Sequence, residues 1–199
     1  MENISPKLIM GISGILSVLI ISITGAISYI FYPYYEYKIF LYVISALGVK
    51  ESGIFFNGGL IFSGIFLIIF LINLNIILTK NVSKKWQQIS KVLALISSIS
   101  YSLLGFFPVI FIVHVILAFN FFFFGMLDYF LLSYLIFNNK KVSNLLSISS
   151  MILIISILMY FTFLLIMYNI HSIFEWIMFI IHGIWILIVS CYFIVEKKI

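Results

Sequence analysis

Asp128, His114, His171, Glu175 and His182 are the side chains of this sequence best suited to holding a metal or moving a proton. Each lies inside a long apolar run or at the end of one. An ionisable group at membrane depth costs from about 2.5 kcal/mol upward, so each requires a reason to be there. Imidazole and carboxylate are the right ligand types for a metal ion, and they also suit a lipid headgroup. His114, His171, Glu175 and His182, with Asn57 near the same boundary, are the candidates for one polar cluster on the outer side. Whether that cluster holds a metal stays open, since no His-Glu-x-x-His or comparable spacing accompanies it. The simpler reading has the stronger claim: Glu175 and His171 meet water at a helix end, and a lone histidine bonds a neighbouring helix.

Asp128 raises a different chemistry. It lies nine residues from the end of its run at Phe137, hence about 13 Å deep. A carboxyl at that depth is a candidate proton site in a transporter, or else a protonated or hydrogen-bonded group facing Ser, Tyr or Asn on another helix. His114, Ala118, Phe121, Gly125 and Asp128 step by four and three along one helical stripe, but the two ends are about 21 Å apart and cannot touch. Glu175 and His182 share a face about 10.5 Å apart.

Catalysis by a nucleophile finds little in the residues. No Gly-x-Ser-x-Gly elbow is present, and Gly11-Ile12-Ser13-Gly14 lacks the spacing. Dinucleotide and Walker fingerprints are missing, so no cofactor is expected. Cys191 is the only cysteine, which rules out an internal disulfide and a Cys-based zinc site. All eleven basic residues are lysine, an unsuitable set for reading bases or for bidentate phosphate binding, and no nucleic-acid partner is expected.

The elements that must position these groups are membrane spans. Hydrophobic residues make up 64% of the 199 residues and charged ones 9%, too few polar groups to cover a water-exposed surface. Six runs are read as spans: Leu8 to Phe31, Gly53 to Leu78, Ile89 to Phe107, Val109 to Phe137, Leu145 to Asn169 and Phe174 to Val195. A core about 30 Å thick needs roughly 20 apolar residues of helix. Long continuous runs exclude a β-barrel, whose strands alternate. The fold predicted is a single all-α polytopic transmembrane domain, a six-helix bundle over residues 1–199.

Lysine placement orients it. Lys7, Lys80, Lys84, Lys85, Lys91, Lys140, Lys141, Lys197 and Lys198 fall on one side and only Lys38 and Lys50 on the other, which predicts cytoplasmic termini. Thr24-Gly25-Ala26 resembles a signal cleavage site, but the apolar run before it is longer than a signal core of about 7 to 15 residues, so the first helix is read as retained. Gly11, Gly14, Ser17, Gly25 and Ala26, then Gly58, Gly59, Ser63 and Gly64, suit close helix packing in lipid. Between the first two spans, Ile39 to Leu47 is apolar but too short to cross, and is read as an interfacial helix or a flap over the outer end. Gly105-Phe106-Phe107-Pro108 is a tight outer turn.

Several of these patterns coincide. Ile44-Ser45-Ala46-Leu47-Gly48 followed by Phe56-Asn57-Gly58-Gly59-Leu60-Ile61 and Gly64 resembles the outer loop and second helix of the domain of unknown function 998 family, mainly prokaryotic six-helix membrane proteins. Gly105 to Pro108 with His114 and the Phe121 to Gly125 run is similar to its third-to-fourth hairpin, and Glu175 with Trp185 to its last helix. That family, distantly similar to the Frag and DRAM membrane proteins, has no assigned activity. It usually carries Asp at the position of Ala46, so any function resting on that carboxylate is absent or altered here.

The function expected is that of a non-catalytic accessory or scaffold protein of the cell membrane, binding membrane lipids or other membrane proteins. A small proton-coupled transporter or channel built round Asp128 is the second reading. A membrane-embedded lipid hydrolase using the outer His/Glu group is the third.

Overall fold

The structure, a computed structural model, describes residues 5–33, 37–138, 142–166 and 171–195. Among them it forms six long helices and no strand: α1 Pro6–Phe31, α2 Gly53–Leu78, α3 Lys84–Leu104, α4 Ile112–Phe137, α5 Asn144–Ile166 and α6 His171–Val195. Proline opens α1, where a missing N–H is harmless. The helix ends at Tyr32, which is extended as the residue before Pro33 must be.

Each helix packs antiparallel on the next, and α6 returns to α1 to close a ring. Side-chain contacts join the neighbouring helices at each seam. Ser17 Oγ donates to the Ser63 carbonyl (2.9 Å), joining α1 to α2, and Ser102 Oγ to the Ile61 carbonyl (3.2 Å), joining α3 to α2. Ser97 Oγ donates to the Phe121 carbonyl (2.8 Å), Ser133 meets Ser147 (2.9 Å), and Trp185 Nε1 donates to Ser150 Oγ (2.9 Å). At the closing seam a Cβ on Gly14 would overlap Ser190 Oγ. The centre is filled by Phe70, Tyr129 and Trp185, with Trp185 edge-on to Phe70 at 6.0 Å and tilted against Tyr129 at 4.7 Å.

Five of the six helices are long and apolar enough to cross a membrane, and α3 is not. This corrects the expectation of six apolar spans, and it has a physical cause. α3 begins at Lys84 rather than Ile89, because Lys84, Lys85, Gln87 and Gln88 are helical, and it carries serines at 90, 97, 98, 100 and 102. Its polarity points inward: Ser90, Ser97 and Ser98 are completely buried, whereas Val92 and Ile99 are 52% and 44% exposed. A helix with polar residues inside and aliphatic ones outside is amphipathic for lipid, not for water.

The antiparallel ring puts Lys7, Lys80, Lys84, Lys85 and Lys91 at one end of the bundle and Lys38 and Lys50 at the other. The remaining four lysines lie outside the described residues. Of the small residues in α1 and α2, Gly59 and Gly64 are required by close approach: a Cβ would overlap Thr24 Oγ1 at the first and press on Ser102 at the second. Gly58 faces open space, so the pattern overstates its importance. Gly59→Leu is expected to lower stability in detergent by about 1–3 kcal/mol through overpacking, while Gly58→Leu stays near wild type. Thermal unfolding of the two variants side by side measures the difference.

Candidate functional site

Three polar side chains meet between α2, α3 and α4. Asp128 is completely buried, and both of its oxygens are engaged: Oδ1 lies 2.6 Å from Ser90 Oγ and Oδ2 accepts from Asn75 Nδ2 at 3.2 Å. Ser90 Oγ also donates to Asn75 Oδ1, closing a three-membered ring. The amide orientation is fixed, because Asn75 Nδ2 gives its second hydrogen to the Leu71 carbonyl at 3.0 Å. Ser90 then faces two acceptor oxygens with one proton. With Asp128 protonated the count closes: the carboxyl donates to Ser90 Oγ, Ser90 to Asn75 Oδ1, and Asn75 to the other carboxyl oxygen. Asp128 therefore meets an Asn and a Ser on other helices, one of the two environments weighed from the sequence.

At the opposite end, residues 37–52 form a lid over the bundle, containing a short 3-10 helix at Ile44–Gly48. The polar residues of the helices fasten it. Ser28 Oγ reaches the carbonyls of Leu47 and Ser52, each at 3.0 Å, and Asn57 Nδ2 donates to the Gly48 carbonyl at 2.9 Å. From α6, Ser172 Oγ donates to the Phe40 carbonyl (2.8 Å), Trp176 Nε1 to that of Tyr42 (3.0 Å), and Glu175 Oε1 accepts the Ser45 N–H (3.3 Å). The backbone of Phe40 is in the left-handed region at φ 66°, a conformation a bulky residue adopts only when held. Under the lid, burial chiefly, with Glu175 adding to it, pushes the Tyr37 phenol above its ordinary range, and its hydroxyl bonds the Val43 carbonyl at 3.1 Å.

The predicted convergence of the outer group does not form among its described members. His114 Nδ1 bonds the Phe107 carbonyl at 2.6 Å and so fastens its own hairpin. Asn57 and Glu175 hold separate points of the lid. His182 is deeper, with Nε2 2.8 Å from the Tyr129 hydroxyl. Spacing along one helix gives a residue's height and face but not which way its neighbours turn, and that is why the cluster looked single. The side chain of His171 lies outside the described residues. Among the described residues no three His, Cys, Asp or Glu side chains are placed to hold a metal ion.

His182 borders a cavity of about 230 Å³ between α1 and α6, lined by Val18, Ile21, Tyr101, Phe121, Phe179 and Ile184 among others. Sequence reading missed this cavity, as it missed Asn75 and Ser90. Only Asn75, an amide within an apolar run, carried a signal.

Compared with protein-family models, curated proteins and solved structures, the chain matches none. Its apolar helices and inward-turned polar groups are those of a multi-pass membrane protein.

A neutral carboxyl would close the ring with no proton short, so Asp128→Asn is expected to keep stability within about 1 kcal/mol, whereas Asp128→Ala loses about 1–3 kcal/mol by stranding Ser90 and Asn75. Equal losses for the two, in a thermal unfolding series in detergent, would show that the ring requires an ionised aspartate.

Proposed function

We propose that this is a non-catalytic integral protein of the cytoplasmic membrane that holds an apolar lipid chain in the cavity between α1 and α6. The observation that carries this reading is the cavity's position and lining. Its walls are mostly aliphatic and aromatic, and Ile180 and Ile184, which line it, are also 46% and 51% exposed on the outside of the bundle. The space therefore communicates with the face that meets lipid. At about 230 Å³ it exceeds the roughly 150 Å³ in which a dry apolar cavity takes up benzene.

Asp128, His114 and Glu175, three of the groups that catalysis or transport would use, are bonded within the fold. Asp128 is closed into its ring with Asn75 and Ser90, and none of the three lines the cavity. His114 and Glu175 each serve a backbone group of a loop or lid. These commitments favour a binding or accessory role over the proton-coupled and hydrolytic readings.

Cytoplasmic termini are part of the proposal, supported by five described lysines at one end of the bundle against two at the other. So is divergent membership of the domain of unknown function 998 family, supported by the short motifs at Ile44 to Gly48, Phe56 to Ile61 and Gly105 to Pro108.

Native mass spectrometry of the protein released from mild detergent tests the reading. A Cβ on Gly183 meets only Val18, at an ordinary 3.7 Å, so Gly183→Ala is expected to fold and keep bound lipid. Gly183→Leu, which projects a branched side chain into the space, is expected to lose most of it. Equal lipid retention by both variants would refute binding at this cavity.

A further inference from the structure

His182 and Tyr129 together hold one hydrogen-bond donor too many. A neutral imidazole has one N–H and a phenol one O–H, and the single bond between them, 2.8 Å from Nε2 to the hydroxyl, uses one of the two. Neither side chain has a second hydrogen-bond partner among the described residues. Tyr129 is 1% exposed and does not line the 230 Å³ cavity, whereas His182, 9% exposed, does. With the phenol donating to Nε2, the spare donor is the Nδ1–H of a ring on the cavity wall. An acceptor entering the cavity would pair it.

Depth narrows what that acceptor can belong to. His182 is eleven residues into α6, about 16 Å from the helix start and so near the middle of a core about 30 Å thick. A phosphate, ammonium or carboxylate headgroup cannot be brought there without the cost of a buried charge. A neutral carbonyl can. The wall around it is aromatic: Phe121 lies 5.4 Å from His182 and 4.9 Å from Tyr101, ring centre to ring centre, and Phe122 and Phe179 stand beside them. Such surfaces favour a flat ring in offset or edge contact.

We propose that the ligand of this cavity is an uncharged, ring-headed lipid of the quinone class, whose carbonyl oxygen accepts a hydrogen bond from His182. The proposal rests on the lipid-binding reading above and adds the head chemistry to it. Tyr129 acts as a positioning residue, fixing the imidazole tautomer. Tyr101, whose hydroxyl meets Ser63 Oγ at 3.2 Å, completes the polar edge of the same wall.

The test uses the full chain in lipid nanodiscs and two probes, a decyl-substituted benzoquinone and decylbenzene, which share a tail and a ring but differ in the carbonyls. Wild type is expected to bind the quinone about tenfold more tightly, the worth of one hydrogen bond to a buried donor. His182→Phe should erase that preference and His182→Gln should restore part of it. The infrared carbonyl band of the bound quinone should move to lower wavenumber in wild type, and less so in Tyr129→Phe, which serves if His182→Phe does not fold. Equal binding of the two probes with an unshifted band would overturn the carbonyl contact while leaving the cavity as a lipid site. Failure of both probes to bind, or binding untouched by Gly183→Leu, would overturn the cavity reading and this proposal with it.

Discussion

Asp128, Ser90 and Asn75, all completely buried, tie three helices together through one ring of hydrogen bonds. In hydrocarbon a polar side chain that loses its partner stays unpaired, and buried hydroxyls here bond either a neighbouring helix, as Ser17 and Ser97 do, or a carbonyl of their own helix, as Ser98 and Ser150 do. The ring joins α2, α3 and α4, and serine contacts to carbonyls on the neighbouring helix extend the same rule along other seams. Among the described residues two buried hydroxyls, of Ser52 and Ser190, have no partner. α3 depends most on this arrangement. Its serines would disqualify it as a lone span, and acceptors on α2 and α4 answer Ser90, Ser97 and Ser102, while Ser98 bonds the Ala94 carbonyl of α3 itself.

Much of this was legible in the residues, and the limits have physical causes. Long apolar runs fixed α1, α2 and α4 to α6 to within a few residues, because length and hydropathy are local properties. The ends of α3 were misplaced because apolarity marks the hydrocarbon portion of a helix, while Lys84 to Gln88 extend it beyond that portion. Ile39 to Leu47 was read as an interfacial helix or flap, and the lid that forms there is fastened by Ser28, Asn57, Ser172, Glu175 and Trp176. That five residues from three helices share this task could not be read from spacing, since the rotation of each helix about its axis is set by packing. The same gap explains why Asn57, His114, Glu175 and His182, the described members of the outer group, make separate contacts, and why the partners of Asp128 were foreseen by type but not by number.

The lid and the mid-membrane cavity divide the molecule into a part that is fastened and a part that is not. At the lid end, side chains are spent on carbonyls and N–H groups of the 37–52 segment. Between α1 and α6 the packing relaxes instead, and His182 lies at the edge of an open space. Asp128 and Glu175 are each bonded within the fold, while His182 borders the apolar cavity.

All of this requires α3 to cross the membrane as the third of six helices, and cysteine labelling tests that directly. In a Cys191→Ser background, Lys84→Cys and Phe106→Cys place single thiols at the exposed opposite ends of α3. A membrane-impermeant maleimide applied to intact cells should label Phe106→Cys at once and Lys84→Cys only after permeabilisation. Labelling of both thiols from the same side would mean that α3 does not traverse the bilayer, and the inward-facing serine helix at the centre of this account would be contradicted.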